Sequence, residues 1–160
     1  MFNNNKLILK YFNFLIEKHN FTLIPEYNYV REIHTEFIGE KIIIKIIFDG
    51  SYLVEILKPK FDIDKLIDEN KRTVDYEYKN YEHYYLSYLE PDKKIYNSIP
   101  NKKFYEKNLD YCSTLLKQNK EIITGDLRKL TRKYRLCVKF FQKLHLNEKK
   151  RNKICLLLSK

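Results

Sequence analysis

Near the start of the chain, apolar residues recur at steps of three and four: Leu7 or Ile8, Tyr11 with Phe12, and Leu15 with Ile16. That period places them on one stripe of a helix and predicts one from Asn4 to His19, with Asn3 to Asn5 available to cap it. The period then shortens to two. Tyr27, Tyr29 and Ile33 alternate with polar residues before Phe37 and Ile38, and Gly39-Glu40 reads as a turn. From Lys41 to Phe48 the two faces separate: Ile42, Ile44, Ile46 and Phe48 on one, Lys41, Ile43, Lys45 and Ile47 on the other. Isoleucine on both faces predicts a buried middle strand. Asp49-Gly50 carries the signature of a type I′ hairpin turn, and Tyr52 to Leu57 returns as a third strand before Pro59. Residues 27–58 are thus predicted to form a three-stranded antiparallel meander.

Beyond residue 62 helical spacing resumes. Asp62 can cap a short helix carrying Ile63, Leu66 and Ile67. Val74, Tyr78, Tyr81, Tyr85 and Tyr88 follow at helical steps, and Pro91 and Pro100 bracket a connection. A helix from Lys103 to Asn119 would stack Tyr105, Leu109, Cys112 and Leu116. It breaks at Thr124-Gly125-Asp126, where Gly125 can end one helix and Asp126 or Thr124 can cap the next. The last helix, Leu127 to Leu144, would turn Leu127, Leu130, Tyr134, Val138 and Phe141 inward. The predicted fold class is α+β: an N-terminal helix, a three-stranded antiparallel meander, and a C-terminal group of helices packed on one face of the sheet. Residues 1–145 are expected to form one domain, followed by a basic tail at 146–160. No internal repeat is present.

Composition supports a core of that kind. The chain has 160 residues, 44% of them apolar, with only 3 Gly and 4 Pro. Cys112, Cys137 and Cys155 have no paired spacing, which predicts a reducing compartment. No secretory pattern and no run of the ~20 apolar residues that a spanning helix needs is seen, so no transmembrane segment is predicted and cytoplasm is the expected location.

Charge changes the picture more. Residues 1–60 hold 8 Lys and Arg against 7 Asp and Glu, a net +1. Residues 61–100 hold 6 against 9, a net −3, and residues 101–160 hold 17 against 5, a net +12. The positive field belongs to the C-terminal third, chiefly Arg128, Lys129, Arg132, Lys133, Arg135, Lys139 and Lys143, with Lys149, Lys150, Arg151 and Lys153 beyond. Such a field attracts an acidic protein surface, nucleic-acid phosphates or an anionic membrane. The plainer alternative is a solvated helix face, since richness in Asn, Lys, Ile and Tyr raises the Lys count across the whole chain. No nucleic-acid motif is present, and the expectation is of cations on several sides of the predicted helix rather than along one stripe.

Candidate chemistry is sparse. His19, His34, His83 and His145 fall at no metal-ligand spacing with each other or with the cysteines. Gly39, Gly50 and Gly125 build no phosphate-binding loop and no nucleophile elbow. Glu77 and Lys79 imitate the carboxylate and lysine of a metal-dependent nuclease, a chemistry that needs a second acid on a neighbouring strand; on a helix they are a surface charge set. The expectation is therefore no catalytic residue, no cofactor and no metal. The tyrosine cluster offers Tyr76 and Tyr84 as rings outside the predicted core stripe, and so as partner contacts.

Residues 115–127, Leu-Leu-Lys-Gln-Asn-Lys-Glu-Ile-Ile-Thr-Gly-Asp-Leu, resemble the tail of several families of small bacterial proteins, in which a helix ends in an apolar pair before Gly-Asp. The opening helix and the meander through Asp49-Gly50 are similar as well. Some of those families resemble immunity proteins of polymorphic toxins, which bind and block one toxin. The basic C-terminal helix and the tail after His145 depart from the pattern. The resemblance implies a non-enzymatic module that occludes a toxin and transfers no catalytic or binding residue; the basic helix, as a departure from the pattern, makes an acidic toxin domain the expected target. The alternative expectation is a basic nucleic-acid-binding protein of a phage or mobile element.

Overall fold

The computed structural model describes residues 4–29, 32–60, 81–89 and 102–139. Helix α1 spans Asn4–His19 and buries Leu7, Ile8, Phe12 and Leu15, the stripe its period requires. Five strands follow: β1 (Thr22–Tyr29), β2 (Glu32–Ile38), β3 (Ile43–Phe48), β4 (Tyr52–Pro59) and β5 (Tyr81–Tyr85). A 3-10 turn at Leu86–Leu89 precedes α2 (Lys102–Gln118), the short α3 (Lys120–Ile123) and α4, which is helical through 128–139.

All neighbouring strands pair antiparallel in the order β1-β2-β3-β4-β5, so among the described residues the sheet is a five-stranded meander. Two differences from the predicted three strands have local causes. The region before Gly39 is two strands rather than one, and the register shift between Ile24 and Tyr27 hides the alternation of β1. Tyr81 and Tyr85, read as part of a helical stripe, lie instead on β5, opposite Pro59 and Glu55 of β4. Aromatic residues on both faces of this short strand satisfy either period, and pairing with β4 decides. The expected helix at 62–67, Val74, Tyr78, Phe141 and the tail lie outside the described residues.

Strand β3 is the middle of the five, and both its faces are buried as predicted. Ile42, Ile44 and Ile46 join Phe37, Val54, Ile56 and Tyr84 beneath the described helices. Ile43 packs on the opposite face with Ile24, Ile38, Leu57 and Tyr81. The hairpin from β3 to β4 pairs Phe48 with Tyr52, leaving three loop residues, Asp49, Gly50 and Ser51. Only Gly50 takes a left-handed φ, of 68°, so the turn is a three-residue loop with glycine at its left-handed position and not the expected type I′.

Tyr52, fully buried, ties the sheet to two helices. Its hydroxyl donates to Asn4 Oδ1 of α1 at 2.9 Å, and its carbonyl accepts from Asn108 Nδ2 of α2 at 2.9 Å. Tyr105 of α2 meets the Tyr52 and Phe48 rings edge-on, at 5.8 and 5.3 Å between centroids. Removing the hydroxyl leaves the buried Asn4 amide without this donor, and such a loss costs about 1–3 kcal/mol. Tyr52→Phe should therefore lower the unfolding free energy by that amount, seen as a lower urea midpoint with the denaturant slope unchanged; a midpoint equal to wild type would remove Tyr52 from this role.

Candidate functional site

Two groups of charged side chains stand out, one on each face of the sheet. On the face turned away from the described helices, Glu36 of β2, Lys45 of β3 and Glu55 of β4 occupy one register row, with Lys45 opposite both carboxylates. Glu36 is fully buried, and Glu55 and Lys45 nearly so. His83 Nδ1 on β5 donates to Glu55 Oε1 at 3.0 Å, and His34 Nε2 on β2 lies 2.7 Å from Glu32 Oε2. Burial pushes the Lys45 ammonium below its ordinary value, against the upward pull of Glu36 and Glu55. Burial also lowers His34, outweighing its bond to Glu32.

The alternation of charge along this row is self-compensating. A one-residue slip of β3 would carry Lys45 into the apolar layer under the helices, so the row pins strand register. Among the described residues no three His, Cys, Asp or Glu side chains gather to hold a metal. Cys112 is packed in the core, and burial pushes its thiol up to about 12, which disfavours the thiolate.

The second group lies on the helix-bearing face. Asn119 Nδ2 closes the last turn of α2 by donating to the Leu115 carbonyl at 2.7 Å, and Asn119 Oδ1 accepts from Lys129 Nζ of α4. Gly125, at φ 86°, reverses the chain against Lys41, whose Cβ would sit 2.8 Å from any side chain placed there. Asp126 then caps α4, accepting from the Arg128 backbone N–H at 3.2 Å. The Arg128 guanidinium clasps the same carboxylate at 2.6–3.1 Å and holds it at about 2. Farther along, the Thr131 hydroxyl shares its one proton between the Leu127 carbonyl at 2.9 Å and Tyr84 Oη at 3.0 Å, and Tyr84 Oη donates to Glu82 Oε2 at 3.2 Å. Leu127 and Leu130 are buried beneath, anchoring α4 beside β5.

This docking opens a groove of about 520 Å³ between α4 and the paired residues Lys58 of β4 and Glu82 of β5. Arg128, Arg132, Arg135 and Lys139 line its helical wall, with Thr131 and Leu136 among them. Their spacing of four, three and four makes them one face of the helix, so part of the cationic set does form a stripe. Five cations meet two carboxylates, Glu82 and Asp126, a net +3 in the groove.

The other candidate contacts have different places. Lys129 points to Asn119 and to Glu121, 3.8 Å away. Lys133 is half-buried outside the groove lining. Tyr84 is buried, since its ring packs under α4 against Tyr134 and its hydroxyl is spent on the relay to Glu82. It therefore presents no ring to a partner. Tyr134, expected inside, is 38% exposed, and Leu136 is 55% exposed; these are the exposed large apolar residues among the described ones. Lys143 and Tyr76 lie outside the described residues, as do Glu77 and Lys79. Lys58, Glu82 and Leu136 were not legible as groove residues, because two belong to strands remote in sequence.

No protein-family model, no curated protein and no solved structure matches this chain. No helix among the described residues is long and apolar enough to cross a membrane.

Two measurements check the buried row. Lys45→Ala leaves Glu36 and Glu55 in the core without the ammonium between them and should cost about 3–5 kcal/mol, whereas replacing all three with Met or Gln should recover most of it; equal loss in both variants would refute the charge argument. His34 is depressed below its unfolded value of 6.5, so the unfolded chain binds more protons as pH falls from there. Its contribution is complete above that value and is lost as pH drops through the folded-state pKa. The urea midpoint should fall as pH drops below about 6.5, with a shallower fall in His34→Gln.

Proposed function

We propose that this chain is a non-enzymatic binding module that engages an acidic protein partner through α4, in the manner of an immunity protein occluding a toxin. One observation carries the reading: the exposed large apolar side chains among the described residues, Tyr134 and Leu136, sit on the same helix as the cationic stripe. Arginine with exposed aromatic and aliphatic side chains is the composition of protein interfaces, where apolar anchors supply affinity and charge supplies orientation and encounter rate. The resemblance over residues 115–127 suggests a toxin domain as the class of partner. Occlusion needs no reacting group, only a fixed surface, and the Thr131–Tyr84–Glu82 relay with buried Leu127 and Leu130 supplies the fixing.

The alternative, nucleic-acid binding, draws on Arg132, Arg135 and Lys139, which carry no ion pair to another described residue. It requires affinity that falls steeply with salt.

The test is affinity capture from nuclease-treated extract of the cells that make the protein, followed by titration of the purified captured protein. The expected result is one protein bound 1:1, with affinity reduced about tenfold or more by Arg132→Glu with Arg135→Glu. Recovery of nucleic acid alone before nuclease treatment, and of no stoichiometric protein after it, would decide for the alternative.

A further inference from the structure

We infer that the groove between α4 and the β4–β5 pair is a seat for one acidic segment of the partner, clasped from both walls. This rests on the reading of the chain as a protein-binding module and goes beyond it, because that reading needs only the exposed side of α4.

Three observations carry the inference. The first is which cations are committed. Arg128 is bound to Asp126 through paired contacts, the shortest 2.6 Å, and Lys129 is turned to Asn119 and Glu121. Arg132, Arg135 and Lys139 on the helical wall make no ion pair with a described residue; Lys58 on the sheet wall makes no close ion pair either, though it stands opposite Glu82 and its charge is felt at Asp126. Cations gathered on two facing walls repel one another in the empty groove, and a carboxylate between them relieves that repulsion from both sides. Two guanidinium groups one turn apart, at Arg132 and Arg135, suit carboxylates, since each offers a planar pair of donors.

The second observation is length. From Arg128 to Lys139 the helix rises about 16 Å. That matches some three turns of a helix or about five residues of extended chain. A segment with carboxylates distributed over that span meets the cations in turn.

The third is what the groove holds besides cations. Glu82 and Asp126 sit in its walls, and Leu136 is exposed at its edge. Asp126 is neutralised by Arg128, but a uniformly charged phosphate backbone would be repelled at Glu82 and would leave Leu136 without an apolar contact. An acidic polypeptide places neutral and apolar residues at those points. Glu82 is held in position by the hydroxyl of Tyr84, so it acts as a fixed selector that penalises a negative charge at its own place in the groove.

The probes are a synthetic peptide of about twelve residues built from Glu, Leu and Ala with Glu at helical spacing, the same peptide with Gln for Glu, a duplex DNA of matched length, and vesicles containing phosphatidylserine. Binding to the full chain is read by NMR shift perturbation and by titration, with a thermal melt to establish that each variant is folded. The expected result is that the Glu peptide binds and the Gln peptide is weaker by about tenfold or more. Lys58→Glu, on the wall opposite the helix, weakens the Glu peptide about tenfold, and Glu82→Gln tightens it several-fold. If the Glu peptide binds and Arg132→Glu abolishes it while Lys58→Glu and Glu82→Gln change nothing, the groove inference falls and the basic helix remains a binding surface. If DNA or vesicles bind more tightly than the peptide through the same arginines, the protein-partner reading falls with it. Absence of binding by every probe at millimolar concentration also overturns the inference.

Discussion

The buried hydroxyl of Tyr52 sets how the two main helices meet the sheet. A phenol in an apolar layer must place its proton on an acceptor, and here the acceptor is Asn4, at the start of α1. The backbone carbonyl of Tyr52 accepts a hydrogen bond from Asn108 Nδ2 of α2. Because Tyr52 opens β4 immediately after the hairpin loop, these two bonds fix both helices to one point of the sheet. The Phe48, Tyr52 and Tyr105 rings fill the space around that point. Once α2 is placed, Asn119 and Gly125 govern where α4 begins, and the groove follows from that placement.

The two faces of the sheet divide the labour. The helix-bearing face is an apolar layer, tolerant of small adjustments because burial has no direction. The opposite face carries the Glu36–Lys45–Glu55 row, which has one satisfactory alignment. Non-directional burial supplies most of the stabilisation, and the buried charges discriminate among registers that would bury nearly the same apolar area. Residues Lys58 and Glu82 end up across from each other only because that register is kept through β4 and β5.

Much of the fold is legible in the chain. The stripe of α1, the two-faced isoleucines of β3, Asp49-Gly50 and the break at Gly125 each follow from local geometry. The failures are instructive at particular residues. Tyr81 and Tyr85 are four apart, which suits a helix, but they are also two steps of two, which suits a strand; only the partner strand β4 resolves it. The buried row could have been found by folding the sequence at Gly50, since Lys45 and Glu55 are equidistant from it. A charge in the middle of each apolar strand was the signal. For the candidate site, the cations of α4 were evident one by one. Their common groove was not, because its second wall comes from residues 58 and 82, and Tyr84, which looked like a surface ring, is drawn inward by the hydroxyl of Thr131.

The groove joins segments that are neighbours only in the folded chain, and this has a thermodynamic consequence. An occupant touching both walls has no counterpart site on the unfolded polypeptide, so occupancy and folding are linked. At a free concentration one hundred times its dissociation constant, such an occupant adds about 2.7 kcal/mol to the folded state. Opening α4 away from β5 would require releasing the occupant first. The bound chain would therefore resist local unfolding and proteolysis at its most cationic helix, and its lifetime would report how much of its partner is present.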